Sequence, residues 1–462
     1  MWPVIRRPGA PRTAPHHRYA PEGAAVGADP RTGWLYRGEP ETCRRDLRQF
    51  LPVLAHLGLL LGVFRVYRVE TRVFQDLSLI ALAALPVHYL TPFRWKKPLF
   101  VGVSVVALGW VFGAATAAAV LALSALLIGV CYLPVAWPAR AGVVAALAVL
   151  FAACRAGALR APVPEGVWPV LATMFMFRMI LYLYETKHAK TPESLVDTLS
   201  YFFLLPNYYF AHFPVVDYRT LQRGYFSHDV HATQRAGLGM MFRGTTHLLA
   251  YRLVYHDWVI PADEVNGPAA LARFLVSNYL RYLHVSGQFH VACGMLHLFG
   301  FRLPETNRNY LLASSFTDYW RRINIYWKDF MVRVVFNPVA FRLKRRPLPV
   351  ALAAATATVF LVTWLLHAYQ MFWLHGAWGF SAHDALFWGA LGLLVLVNVQ
   401  LDARRCDARK GAKAADPYAP ATLAVRAAKT AGTFVTIAVL WSVWTSQGVG
   451  PWAAMMRRGL GL

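Results

Sequence analysis

Long apolar runs separated by short charged breaks organise this chain. A helix needs about 20 apolar residues to cross the hydrocarbon core of a bilayer. Eleven stretches approach that length: 50–66, 74–93, 98–112, 114–134, 139–157, 166–184, 236–255, 268–285, 351–373, 384–401 and 429–446. Several fall short of it, so tilt or neighbouring helices must make up the difference. Two further apolar stretches are interrupted: 195–213 holds Pro206 and ends at Pro214, and 286–300 opens on Ser286-Gly287. Broken backbone at membrane depth is tolerated only where protein buries it or it lines a cavity, so both are expected to be re-entrant or cavity-lining. The fold class predicted is all-α: a polytopic integral membrane protein of about eleven transmembrane helices plus re-entrant elements.

Composition agrees with the pattern. Of 462 residues, 57% are hydrophobic and only 15% charged, against roughly 25% charged in soluble proteins. The net charge of +24 comes from 47 Lys+Arg against 23 Asp+Glu. These cations cluster between apolar runs, as in cytoplasmic loops facing anionic lipid, rather than in a nucleic-acid-binding patch. The tail 1–49, Arg94 to Lys97, Lys187 and Lys190, the stretch 318–348 and the stretch 402–429 all fall on one side if the N-terminus is cytoplasmic. The loops 256–267 and 374–384 contain no Lys or Arg and fall on the other side. This parity holds only if 195–213 does not cross. Arg457-Arg458 then lands outside, a mild misfit.

The first 49 residues are polar, basic and Pro-rich with no early apolar core, so a partly disordered cytoplasmic tail is expected rather than a cleavable signal. Residues 50–165 are Ala/Leu/Val-rich scaffold; polar and aromatic residues gather over 166–375, the expected catalytic core; 376–462 supply the C-terminal transmembrane helices. The five scattered cysteines form neither a zinc motif nor a disulfide framework. High Ala, Arg and Gly content and compact loops point to a GC-rich bacterium, and the protein is expected in its inner (plasma) membrane.

One polar segment stands out, Ser315 to Phe330, followed by a histidine, His367, deep in an apolar run. An ionisable group at that depth is costly and marks a functional site by default. A neutral imidazole is the usual general base for a hydroxyl, and an amide such as Asn324 can donate to a developing oxyanion. His plus Asn without a protein nucleophile suits direct transfer of an acyl group from a thioester to an alcohol. A lone intramembrane His that bonds a neighbouring helix or binds an ion is the alternative that residue chemistry leaves open.

Phe299 to Asn307 (FGFRLPETN) looks like the F-G-F-R-x-P-E-N stretch of bacterial polysaccharide and teichoic-acid O-acyltransferases. Ser315 to Arg322 resembles their S-x-x-x-F/Y-W-R-R-W-H segment, Tyr282 to Gly294 their Y-x-D-F-S-G-Y-S-D-x-A-x-G, and Phe202 to Arg219 their F-F-P-x-x-x-x-G-P-I-x-R-Y region. In order over about 170–375, these matches resemble the membrane-bound O-acyltransferase family. The resemblance implies a helical shell around a tunnel, with His367 as the catalytic base and Asn324 as the second marker residue. Trp320, Arg321, Arg322 and Asp318 would support the site or the donor, and Ser286 and His290 fall in the substrate-binding motif. It implies an acyl-CoA or acyl carrier protein thioester as co-substrate, with no bound cofactor and no metal. A cell-envelope glycan, glycoside or lipid hydroxyl would be the acceptor, an acetyl or other short acyl group the cargo, and an extracytoplasmic enzyme a potential partner. Membrane lipids surround the protein, and no nucleic acid is involved. Ile323 replaces the family's Trp, Phe213-Pro214-Val215 its G-P-I, and His284 and His290 stand for its aspartates, which implies a changed acceptor. A transporter or flippase, or a pseudo-enzyme of the same fold, is the alternative; a lipid-linked glycosyltransferase ranks lower for want of acidic outer-loop residues beyond Glu165.

Other groups have plainer readings. His290 and His297 share a helix face but stand about 10 Å apart along it, too far for one zinc ion at about 2 Å bonds. His228 and His231 read as an exposed loop. Arg178 must face protein or a wet pocket, with Glu185 as its expected partner and a donor-phosphate contact as the functional reading. The run 342–346 (RLKRR) sets topology, with a donor-phosphate contact as its second reading.

Overall fold

The computed structural model describes residues 33–189, 193–208, 216–408, 416 and 418–462. Most of the N-terminal tail, the end of the 195–213 stretch, and Lys190, Arg409, Lys410 and Lys413 lie outside the described residues. The elements in chain order are α1 (Leu47–Val66), α2 (Arg72–Leu90), α3 (Phe93–Phe112), α4 (Ala114–Cys131), α5 (Trp137–Arg155), α6 (Val167–Phe175), α7 (Arg178–Thr186), α8 (Leu195–Phe202), α9 (Tyr218–Gly224) and α10 (Val230–Leu253). They continue with α11 (Pro268–Leu280), α12 (Tyr282–Leu298), α13 (Phe316–Arg322), α14 (Ile325–Met331), α15 (Asn337–Arg342), α16 (Leu348–His375), α17 (Ala382–Ala408), α18 (Pro420–Trp444) and α19 (Val449–Leu460). The protein is all-α: the described residues contain only two isolated β-bridges, Trp34 to Arg45 and Tyr225 to Phe301.

Nine helical segments among the described residues are long and apolar enough to cross a membrane: α1 to α5, the α6–α7 pair, α16, α17 as far as Arg404, and α18. They match nine of the eleven predicted stretches. The chain is a polytopic membrane protein.

Two further helices, α10 and α12, are more polar, and contacts place them beside α1. Arg235 donates to Gln49 Oε1 at 3.0 Å, at the start of α1, while Arg252 donates to the carbonyls of Tyr67 and Arg68 just past its end. These 17 residues rise about 25 Å, so α10 runs beside α1 over its whole depth. Its partner α12 runs back: His284 Nε2 lies 2.8 Å from Glu70 Oε1 beyond the end of α1, and Phe299 packs on His88 near the end of α2. Composition hides this pair because each helix buries polar groups against the other.

Glycines let the two approach. A Cβ on Gly237 would lie 2.7 Å from Gly294 O, and one on Gly244 2.7 Å from Gly287 O; the reciprocal contacts are 2.5 and 2.9 Å. This corrects the expectation of a break at Ser286-Gly287. The helix is continuous there, and Gly287 marks close backbone approach. The stretch 268–285 is not one helix: the turn at Arg281 divides it between α11 and α12.

The stretch beginning at 195 is re-entrant, as expected. Lys97 in the first turns of α3 meets both Asp197 and Gln222, so the chain enters and returns on one side. Between these legs Tyr208 packs on Phe112, the last residue of α3. Tyr201, Phe202, Leu204 and Leu205 are fully buried.

Candidate functional site

A cavity of about 470 Å³ opens among α6, α7, α12, α14, α16, α17 and α18. Its wall includes both His367 and Asn324, 43 positions apart in sequence, together with Arg178, Tyr282, Gln370, His383, Asp384 and the indoles of Trp327, Trp364, Trp388, Trp441 and Trp444.

His367 lies 19 residues into α16, about 28 Å from its start and about 12 Å from its end. It is half-buried. Its Nδ1 is 2.9 Å from the Thr363 carbonyl one turn back. A carbonyl only accepts, so Nδ1 is the donor in this contact. Three indoles surround the ring, with centroids at 4.5 Å (Trp388), 5.3 Å (Trp327) and 6.2 Å (Trp444). They restrict the plane of the imidazole while the Thr363 bond holds one nitrogen.

Asn324 is placed by its backbone. It sits in the left-handed region at φ 39°, ψ 62°, which Asn tolerates better than most residues. It caps α14, its Oδ1 accepting from Trp327 N at 3.3 Å, and its own N–H donates to Asn307 Oδ1 at 2.8 Å. With Oδ1 engaged, the Nδ2 amide is the end able to donate to a substrate.

Arg178 opens α7 just after the helical break at Met176-Phe177, and Met176 and Phe177 also line the cavity. The expected partner Glu185 is not what Arg178 meets. Its guanidinium donates to the Tyr201 carbonyl at 2.9 Å and to Asn207 Oδ1 at 2.7 Å, fastening the re-entrant segment. Glu185 pairs instead with Arg333 and accepts from the Arg219 amide.

The remaining sequence-predicted residues fall outside the cavity lining. Asp318 accepts from the Ser314 amide and from Arg322 Nε at 2.8 Å, and Ser315 caps α13 through the Asp318 amide. Trp320 is buried against Phe360, and Arg321 is exposed. Ser286 bonds His247 across the α10–α12 contact, and His290 Nδ1 bonds the Ser286 carbonyl at 2.7 Å. His297 bridges to Leu303. The run 342–346 spans the end of α15 and the turn before α16.

Sequence reasoning missed the indole clamp and the His383–Asp384 pair on the cavity wall. The signal available was spacing: Trp327 is three residues after Asn324, and Trp364 three before His367. Nothing in the sequence links either to Trp388 or Trp444. No protein-family model and no curated protein matches the chain.

Proposed function

We propose that the chain is a membrane-bound O-acyltransferase that moves an acyl group from a cytoplasmic thioester to a hydroxyl. The observation that carries the reading is the shared cavity. Two residues singled out for complementary roles, from separate parts of the sequence, line one chamber within the membrane-spanning bundle.

The step follows from the groups in place. His367 Nε2 takes the proton of the acceptor hydroxyl as its oxygen attacks the thioester carbonyl carbon. Asn324 Nδ2 donates to the carbonyl oxygen as it gains charge. Collapse breaks the C–S bond, and the thiolate leaves with the proton held on Nε2. The products are an ester and a free thiol, with His367 restored. A half-buried chamber lined by indoles limits water, which would otherwise compete as the acceptor. Cell-envelope glycans, glycosides and lipids, all hydroxyl-bearing, remain the acceptor classes, and CoA or a carrier protein the donor.

The test is thioester cleavage. Protein purified in detergent is given acetyl-, butyryl- and palmitoyl-CoA with cell-envelope extract, and thiol release is followed for wild type and His367→Ala. Release that needs His367 is the expected result. Equal release by a folded His367→Ala variant rules the reading out. No release with any donor favours a transporter of the same architecture.

A further inference from the structure

We propose that Asp384 is a positioning residue for His367, acting through the indole of Trp444. What the imidazole does rests on the acyl-transfer reading; how it is held rests on geometry. Asp384 lies in the first turn of α17, Trp444 ends α18, and His367 is on α16, so the contact ties three crossing helices together at the cavity wall.

Trp444 Nε1 donates to Asp384 Oδ1 at 2.8 Å, a charge-assisted bond. The other carboxylate oxygen takes the Ser381 hydroxyl, so the carboxylate itself is fixed. Trp444 is further held by a parallel stack on Phe387, at 4.8 Å and 9°. From there its ring faces His367 at 6.2 Å and Trp388 at 5.8 Å, and Trp388 lies 4.5 Å from the imidazole. Trp327 and Trp364 also line the cavity, but their buried Nε1–H groups meet no acceptor among the described residues. Trp444 differs in being fixed by a hydrogen bond as well as by packing.

The consequence concerns the aim of Nε2. The Thr363 bond holds Nδ1, and the indole faces limit how far the ring can turn about its side-chain torsion. Release of the Trp444 indole removes one face of the clamp. A simpler role for Asp384 exists: it stands third after the helix-capping Ser381, whose Oγ accepts from the Asp384 amide at 3.2 Å. A residue that only caps α17 would act on stability, whereas a positioning residue acts on the imidazole.

The experiment compares Asp384→Ala, Asp384→Asn, Trp444→Phe and the Asp384→Ala/Trp444→Phe double variant. Two readouts are used: kcat and KM in the thiol-release assay, and the rate at which diethyl pyrocarbonate modifies His367, followed by mass spectrometry on folded protein. Asp384→Ala and Trp444→Phe are each expected to lower kcat about tenfold to a hundredfold, the cost of a misplaced reacting group, with donor KM unchanged. The double variant falls no further, because both changes remove one bond. Asp384→Asn keeps an oxygen for the indole N–H and retains most of the activity. His367 modification changes several-fold in Asp384→Ala and Trp444→Phe and returns toward wild type in Asp384→Asn. Wild-type kcat and modification rate in Asp384→Ala overturn the proposal, as do multiplying effects in the double variant. Absence of His367-dependent thiol release in wild type defeats the acyl-transfer reading alone, and the modification rates then decide the positioning role by themselves.

Discussion

Asn324 Oδ1 accepts from the backbone N–H of Trp327, and the indole of that same Trp327 stands 5.3 Å from the His367 ring at an interplanar angle of 75°. One residue thus joins the amide that would hold an oxyanion to the imidazole that would take a proton. The link explains why α14 must begin where it does. Moving the cap by one residue would turn Trp327 away from α16.

On the proposed reaction, Asn324 has two separable jobs. Asn324→Ala removes the cap, at about 1 kcal/mol, and places a Cβ-bearing residue without a compensating side chain in the left-handed region, at roughly 1–2 kcal/mol. Asn324→Gly tolerates that backbone and costs only a few tenths of a kcal/mol as a cap. Both lose the donor, so kcat should fall by about 10²–10³ in each, while thermal unfolding separates them. Wild-type turnover in a folded Asn324→Gly protein would remove Asn324 from the mechanism.

The α10–α12 contact predicts a sharp difference between glycines. A Cβ on Gly294 would stand 2.5 Å from Gly237 O, whereas one on Gly129 in α4 meets nothing within 4 Å. Gly294→Ala should destabilise by about 1–3 kcal/mol, the usual range for overpacking. Gly129→Ala should be neutral or stabilise by up to about 1 kcal/mol through helix propensity. Thermal unfolding in one detergent compares them directly, and similar midpoints would show that the helices sit further apart.

Arg178→Met should loosen the re-entrant segment. It leaves the Tyr201 carbonyl and Asn207 Oδ1 without their donor in a buried setting, at about 1–3 kcal/mol for each group left unsatisfied. Arg178→Lys should rescue poorly, because an ammonium lacks the fork that reaches both acceptors. Labelling of a cysteine placed at Leu205, buried in the native protein, should rise in both variants. Protection equal to the parent's would show that the segment holds without the guanidinium.

Asp217 predicts a pH dependence. Burial alone would raise its carboxyl, but the Thr220 hydroxyl and amide and the Arg333 guanidinium, 3.2 Å away, outweigh it and hold the group below its ordinary value. A folded-state value below the unfolded one, about 3.9, stabilises the protein above that pH, and the gain is lost as pH falls through the depressed value. Asp217→Asn keeps an acceptor for the α9 cap but not the charge. It should unfold below wild type at pH 7, with the gap narrowing under about pH 4. A gap constant from pH 7 to pH 3 would show that the charge contributes nothing.

The sequence determined the class of the molecule and pointed to His367 and Asn324 as candidate site residues. Apolar run lengths and the placement of Lys and Arg come from solvation, a local property of the chain, and so nine crossings were legible without coordinates. Histidine in an apolar helix is legible for the same reason, since its cost is set by depth. The polar pair α10–α12 was only partly so: its glycines look like breaks until a partner helix is seen 2.5–2.9 Å from where their Cβ atoms would be. Tertiary structure alone decided which helices enclose His367, that Arg178 holds Tyr201 and Asn207 rather than Glu185, and that Asp384 reaches Trp444 across 60 residues. Those contacts join segments distant in sequence through a hydrogen bond or a ring face, and composition and periodicity carry no record of which distant partner a side chain meets.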